Sequence, residues 1–327
     1  MGDAHGNRHS VTRLFGAPHC LSGTMAHTVD HPAHLHAAPP RAMTEAAASG
    51  PGWLARLELN FQQLRSGTRL TGRRHVGPLL VQKAFYPEAD SAGARSSGPC
   101  HVYVIHPPGG VASGDSLELH ADLETGSHAL LTTPAAGKFY RRGEAGPARV
   151  VQTFSVRSAT LEWLPQENIF YPNSAVDLRT IVDLSGSARF IGWEIGCLGL
   201  PASGRDLEGG ELRLGFELWR EGSPLLLERL AVTRANLSPR WGLADHHALG
   251  TAMFYPAGRQ DLDLARAALP DNCIERTVAC TLVENVLVCR AVARRTDCLK
   301  TAFAALWRAL RPTLADREAV TPRIWAT

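Results

Sequence analysis

The chain has 327 residues, 44% hydrophobic and 20% charged, enough apolar material for one large core or two modest ones. Its 34 basic and 31 acidic side chains leave a net charge of +3, too balanced for the clustered basic surface of a nucleic-acid binder. Apolar runs such as Leu225-Leu-Leu227 and Val286-Leu-Val288 fall far short of the roughly 20 residues a membrane helix needs. Seven cysteines without a CxxC pair argue against a disulfide framework or a zinc knuckle, and predict small buried thiols in a reducing cytoplasm.

The first 50 residues hold half of the fourteen histidines among Ala, Gly, Pro, Ser and Thr. Such a segment buries too little apolar surface to offset its ordering entropy, so 1–50 reads as a disordered, His-rich extension. Its histidines and prolines interrupt any signal-peptide core, so no export is expected. Flexible imidazoles at His27, His31, His34 and His36 could converge on nickel or zinc. Met43 offers a second plausible start after this cluster.

From Trp53 to the end the texture is short strands and turns, predicting one mainly β domain over 51–327. In Ala55–Phe61, Leu57, Leu59 and Phe61 alternate with Arg56, Glu58 and Asn60, which is the period of a half-buried strand. Similar runs recur at Cys100–His106, Ser116–Leu123, His128–Thr133, Arg149–Val156, Val176–Leu184, Ala188–Cys197, Leu212–Trp219, Pro224–Thr233, Ile274–Val283 and Val286–Val292. Turn signals such as Thr125-Gly126 and Glu221-Gly222 punctuate them. Two helices are expected near the C-terminus: Asp261–Leu269, stopped by Pro270, and Leu299–Leu310, whose apolar residues repeat at helical spacing until Pro312 ends the pattern.

Catalytic constellations are missing. Thr133–Phe139 fails as a phosphate loop, because Thr132 stands where its first glycine should be and Phe139 where its magnesium hydroxyl should be. There is no G-x-S-x-G elbow, H-E-x-x-H or G-x-G-x-x-G, so no enzyme is expected. Three acids stand out instead, because an isolated carboxylate in apolar surroundings is costly to keep charged without a cation or a hydrogen-bonding partner. Asp115 closes the glycine-rich turn after Pro107-Pro108. Glu194 shares a strand face with Gly192 and Gly196, which leaves room beside it, and Glu228 shares one with Leu226 and Leu230. Each is a candidate for weak, transient metal binding, with a cap, a backbone bond or an arginine partner as the structural alternative. Glu167 is a weaker fourth. His101 and His106 stand at odd spacing, hence on opposite faces of a strand, and do not share an ion. The pair His246-His247 reads as surface.

Five fragments carry a resemblance: Gly77–Gln82 with Phe85-Tyr-Pro-Glu88, His101–Asp115, Leu131–Arg141, Leu161–Glu167 and Pro322–Trp325. In this order and spacing the chain resembles the urease accessory protein family UreD, called UreH in some bacteria, from about Trp53 to Thr327. The resemblance implies a β-helical core of stacked strands. It also implies a non-catalytic scaffold in a dimeric heterocomplex, binding urease apoprotein and UreF, with the GTPase UreG docking through UreF. Nickel would be in transit along an internal passage, with no tightly bound cofactor, and Asp115, Glu194 and Glu228 would be its path. The alternative is a stand-alone nickel-binding metallochaperone working through the His-rich N-terminus. Arg323-Ile-Trp325 and Tyr255-Pro256 are the kind of aromatic and arginine anchors that carry interfaces.

Overall fold

The structure is a computed structural model that describes residues 52–88, 98–269 and 276–326. The expected extension over 1–50, its histidine cluster included, lies outside the described residues, as does most of the loop over 89–99.

The strands in chain order are β1 (Leu54–Leu64), β2 (Gly67–Val76), β3 (Leu80–Phe85), β4 (Cys100–Ile105), β5 (Ser116–Leu123) and β6 (His128–Thr132). There follow β7 (Gly137–Phe139), β8 (Ala148–Arg157), β9 (Thr160–Trp163), β10 (Asn168–Phe170), β11 (Ala175–Ser185) and β12 (Arg189–Leu198). Last come β13 (Glu211–Arg220), β14 (Ser223–Thr233), β15 (Ala248–Tyr255), helix α1 (Arg259–Ala268), β16 (Arg276–Val283), β17 (Val286–Ala293) and helix α2 (Thr296–Ala315). One sheet has the order β14-β13-β11-β8-β5-β1-β2 and the other β16-β17-β15-β12-β9-β6-β4-β3, with β7 and β10 paired beside β12.

The middle of the chain passes from one sheet to the other and back, so that β5, β8, β11 and β13 stack in parallel on one side. On the other side β4, β6, β9 and β12 do the same. These stacked coils resemble a β-solenoid, closed at its ends by antiparallel hairpins. Alternation fixes which side chains enter it: Leu57, Leu59 and Phe61 of β1 are buried with Phe154, Leu161 and Phe190 in the core between the sheets. A second core lies under the helices, where Trp193, Phe254, Leu287, Phe303 and Trp307 pack together. Strands β12, β15 and β17 of the second sheet therefore have an inner face toward the first sheet and an outer face toward the helices.

Helix α2 departs from its sequence reading. It runs through Pro312 to Ala315, although proline lacks an amide donor and crowds the preceding turn. Ion pairs and hydrogen bonds made by Arg311 hold this last turn against a cost of roughly 3 kcal/mol. No described helix is long and apolar enough to cross a membrane.

Candidate functional site

Strand register builds a polar stripe on each of the two facing sheets. On the second sheet Glu194 of β12 lies opposite Thr251 of β15, and Thr251 opposite Arg290 of β17. On the first, Glu228 of β14 lies opposite Phe216 of β13, Phe216 opposite Thr180 of β11, and Thr180 opposite Gln152 of β8. Two bridges join the stripes. The Thr180 hydroxyl donates to Glu194 Oε1 at 2.7 Å. Arg290 donates from Nε to Glu228 Oε1 at 2.8 Å and from Nη2 to Oε2 at 2.5 Å.

Between these bridges is a cavity of about 60 Å³, lined by Glu194, Glu228, Thr251, Asn168 and apolar neighbours such as Phe170 and Leu249. That is room for a few waters, at roughly 10–15 Å³ each. Gly196 also lines it, and a Cβ there would crowd the Phe170 ring at 3.0 Å. Gly192 does something else: its missing side chain makes room for the ring of Phe190.

Glu194 is half-buried at the cavity wall and makes no salt bridge to any described residue. Burial pushes its carboxyl above the usual carboxylate range, and the hydrogen bonds from Trp163 and Thr180 offset this only partly. Trp163 Nε1 donates to Oε1 at 2.9 Å and Asn168 Nδ2 to Oε2 at 3.4 Å. Neutral donors thus orient the carboxylate without balancing its charge. A dication would supply what they do not. Further along the stripe, Gln152 Oε1 is buried without a partner among the described residues. Among the described residues no three His, Cys, Asp or Glu side chains converge as a closed metal site.

The model of the family described as UreD urease accessory protein matches residues 54–326. The chain belongs to this UreD family. It is 42% identical over 280 residues to the urease accessory protein UreD of Pseudomonas putida, covering 84% of this chain and 95% of that protein. To UreD of Citrobacter koseri it is 39% identical over 278 residues, with coverages of 84% and 92%. To that of Klebsiella aerogenes it is 38% identical over 276 residues, with coverages of 84% and 97%. Membership supports a role in urease maturation.

Two of the three acids singled out by sequence thus share one cavity in this UreD chain, and the third does not. Asp115 lies outside the lining and spends both oxygens on backbone: Trp53 N–H donates to Oδ1 at 2.9 Å and Ala112 N–H to Oδ2 at 2.8 Å. It caps its own turn and ties β1 to it. Glu228 is not a lone acid on an apolar face, because Arg290 holds it. His246 and His247 are half-buried, and His247 Nδ1 lacks a partner among the described residues. Tyr255 is buried with its hydroxyl accepting from Arg220, so it is no interface anchor. Trp325 packs edge-on against Trp307 and donates to the Thr132 hydroxyl at 2.9 Å, closing its own core.

The densest cluster of ionisable groups was not expected. Arg311, 0% exposed, bridges Glu162 at 2.9 Å and Glu88 at 2.7 Å. His128 lies 2.7 Å from Glu162, His101 lies 2.8 Å from Glu88, and Trp307 Nε1 donates to Glu162 at 2.6 Å. Burial alone would raise the Glu162 carboxyl, but the His128 hydrogen bond and the Arg311 charge hold it well below the usual range. Every carboxylate oxygen here has a partner, so the cluster ties α2 to the strands, while His101 Nδ1 is buried without a partner among the described residues. The signal existed in the fragments ending at Glu88 and containing Glu162. It was lost because Arg311 falls just past the expected helix end.

Proposed function

We propose that this UreD-family chain is a non-catalytic urease maturation factor that passes nickel to urease apoprotein through the cavity between its sheets. Glu194 and Glu228 are the transient ligands. Nickel(II) accepts carboxylate, hydroxyl, amide oxygen and water, and a conduit must hold it weakly enough to let it go. One half-buried carboxylate with no cation partner among the described residues, joined by a second whose partner is a displaceable arginine, suits that task. Glu194 carries the reading: at the wall of a small cavity, served by neutral donors, it has no balancing charge among the described residues.

In this reading the chain also acts as a docking platform in the cytoplasm for UreF, with UreG engaged through UreF, in a dimeric heterocomplex. It needs no nucleotide or resident cofactor.

The test is co-expression with urease and its accessory proteins under limiting nickel, comparing wild type with Glu194→Ala and Glu228→Ala. Both variants should co-purify with their partners while the nickel content of urease falls. Loss of assembly in both would assign the acids to structure, and unchanged nickel would remove the cavity from the route. A chain starting at Met43 should support maturation; if it does not, the histidine-rich segment is the working part.

A further inference from the structure

Cys280 and Cys289 are directly opposite one another in the antiparallel pairing of β16 and β17, on the face toward α1 and α2. Their sulfurs are 3.0 Å apart, with the Cys289 thiol donating to Cys280. Two other thiols are turned to oxygens instead, Cys100 toward the Tyr86 hydroxyl and Cys197 toward the Gly199 carbonyl. Short cross-strand spacing brings opposite side chains within reach of a covalent link. The pair also sits at the margin of the fold, because β16 is the terminal strand of its sheet. Cys280 is 8% exposed and Cys289 0%, so a small oxidant reaches Cys280 first.

We propose that Cys280 and Cys289 form a reversible disulfide on exposure to peroxide, stapling the terminal strand β16 to β17. The inference rests on this pair alone and is independent of the nickel reading. The two thiols are differentiated: the Cys289 hydrogen bond pushes Cys280 below the usual thiol range against its burial, with the charge of Arg266 helping. The same contact, together with burial, pushes Cys289 up. Cys280 is therefore the attacking thiolate and Cys289 the resolving thiol.

In the first step the Cys280 sulfur bonds to one peroxide oxygen, the O–O bond breaks, and the departing hydroxide takes up the proton Cys280 has lost. This gives Cys280 sulfenic acid and water. In the second, the Cys289 sulfur attacks the Cys280 sulfur, the S–O bond breaks, and hydroxide leaves with the Cys289 proton as a second water. Two thiols lose two electrons in all, and peroxide gains them. Transient, redox-responsive disulfides are the kind found in reducing compartments.

The test treats the full chain with hydrogen peroxide, then denatures, alkylates and digests it with trypsin. Both cysteines fall on one peptide, Thr277 to Arg290. That peptide should lose about 2 Da, resist alkylation, and regain two alkylatable thiols after dithiothreitol. The proposal is overturned if it stays doubly alkylated, or reaches sulfinic acid, at peroxide doses that oxidise Cys298. Dimedone should label Cys280 in Cys289→Ser and leave Cys289 unlabelled in Cys280→Ser. The opposite pattern, or no label in either, also overturns it.

Discussion

Glu162 is fully buried and Glu194 half-buried on neighbouring strands of one sheet, and the fold treats their carboxyls in opposite ways. Glu162 is surrounded by Arg311, His128 and Trp307, and its acidity is strengthened. Glu194 meets Trp163, Thr180 and Asn168, all neutral, and its acidity is weakened. A carboxylate with its own arginine is committed to holding the structure together. One oriented by neutral donors beside a cavity is left with a charge that those donors do not balance.

The largest way to sharpen the contrast is to remove the cation from the committed side. Arg311→Met leaves Glu162 and Glu88 buried without their partner and should destabilise the chain by about 3–5 kcal/mol in urea unfolding. The second core, under α2, should loosen with it. A change below about 1 kcal/mol would mean that the cluster is not what ties the helix to the strands.

The two carboxyls should also tilt stability with pH in opposite senses. The Glu162 carboxyl is held below its ordinary value of 4.5, so its stabilisation is complete above that pH and is lost as pH falls through the range beneath it. Glu162→Gln should therefore flatten the acid limb of the unfolding curve. The Glu194 carboxyl lies above its ordinary 4.5, so as pH rises past that value the unfolded chain releases its proton first and stability declines. Glu194→Gln should remove that decline, gaining stability relative to wild type as pH rises. Parallel curves for the two variants would erase the distinction.

How much of this was legible beforehand follows from burial geometry. Strands with one face on a core, such as Ser116–Leu123, show alternation and were found to the residue. Strand β15 is buried on both faces, so Ala248–Tyr255 carries no alternation and was missed. Strand β2 was missed for the opposite reason, since Arg69, Arg73 and Arg74 give an edge strand almost no apolar signal. At the site, the period of two correctly placed Glu194 on the face of Gly192 and Gly196. Cross-strand register, which decides that Glu228 meets Arg290 and that Glu162 meets Arg311, is a long-range property that no local pattern encodes.

On the cavity side, Glu194→Gln should change stability by less than about 1 kcal/mol while lowering the nickel content of urease, a separation that Arg311→Met should not show. Intact urease metallation with this variant would leave Glu194 as a half-buried hydrogen-bond acceptor and nothing more.

The smallest effect on stability belongs to Arg290→Gln. Arg290 and Glu228 are both partly exposed, and such a pair contributes roughly 0–1 kcal/mol. Its chemical consequence should be larger than its energetic one, because it stands between the committed and the available extremes. The guanidinium occupies both oxygens of Glu228, so a passing dication competes with it for that carboxylate. Without it, Glu228 is free to retain the ion, and equilibrium dialysis of the full chain should show a few-fold rise in retained nickel together with slower transfer to urease. Adding Glu228→Gln to the same chain should cancel the rise. If retention is unchanged in the single variant, or persists in the double one, Arg290 does not regulate the occupancy of Glu228 and the two ends of the cavity act independently.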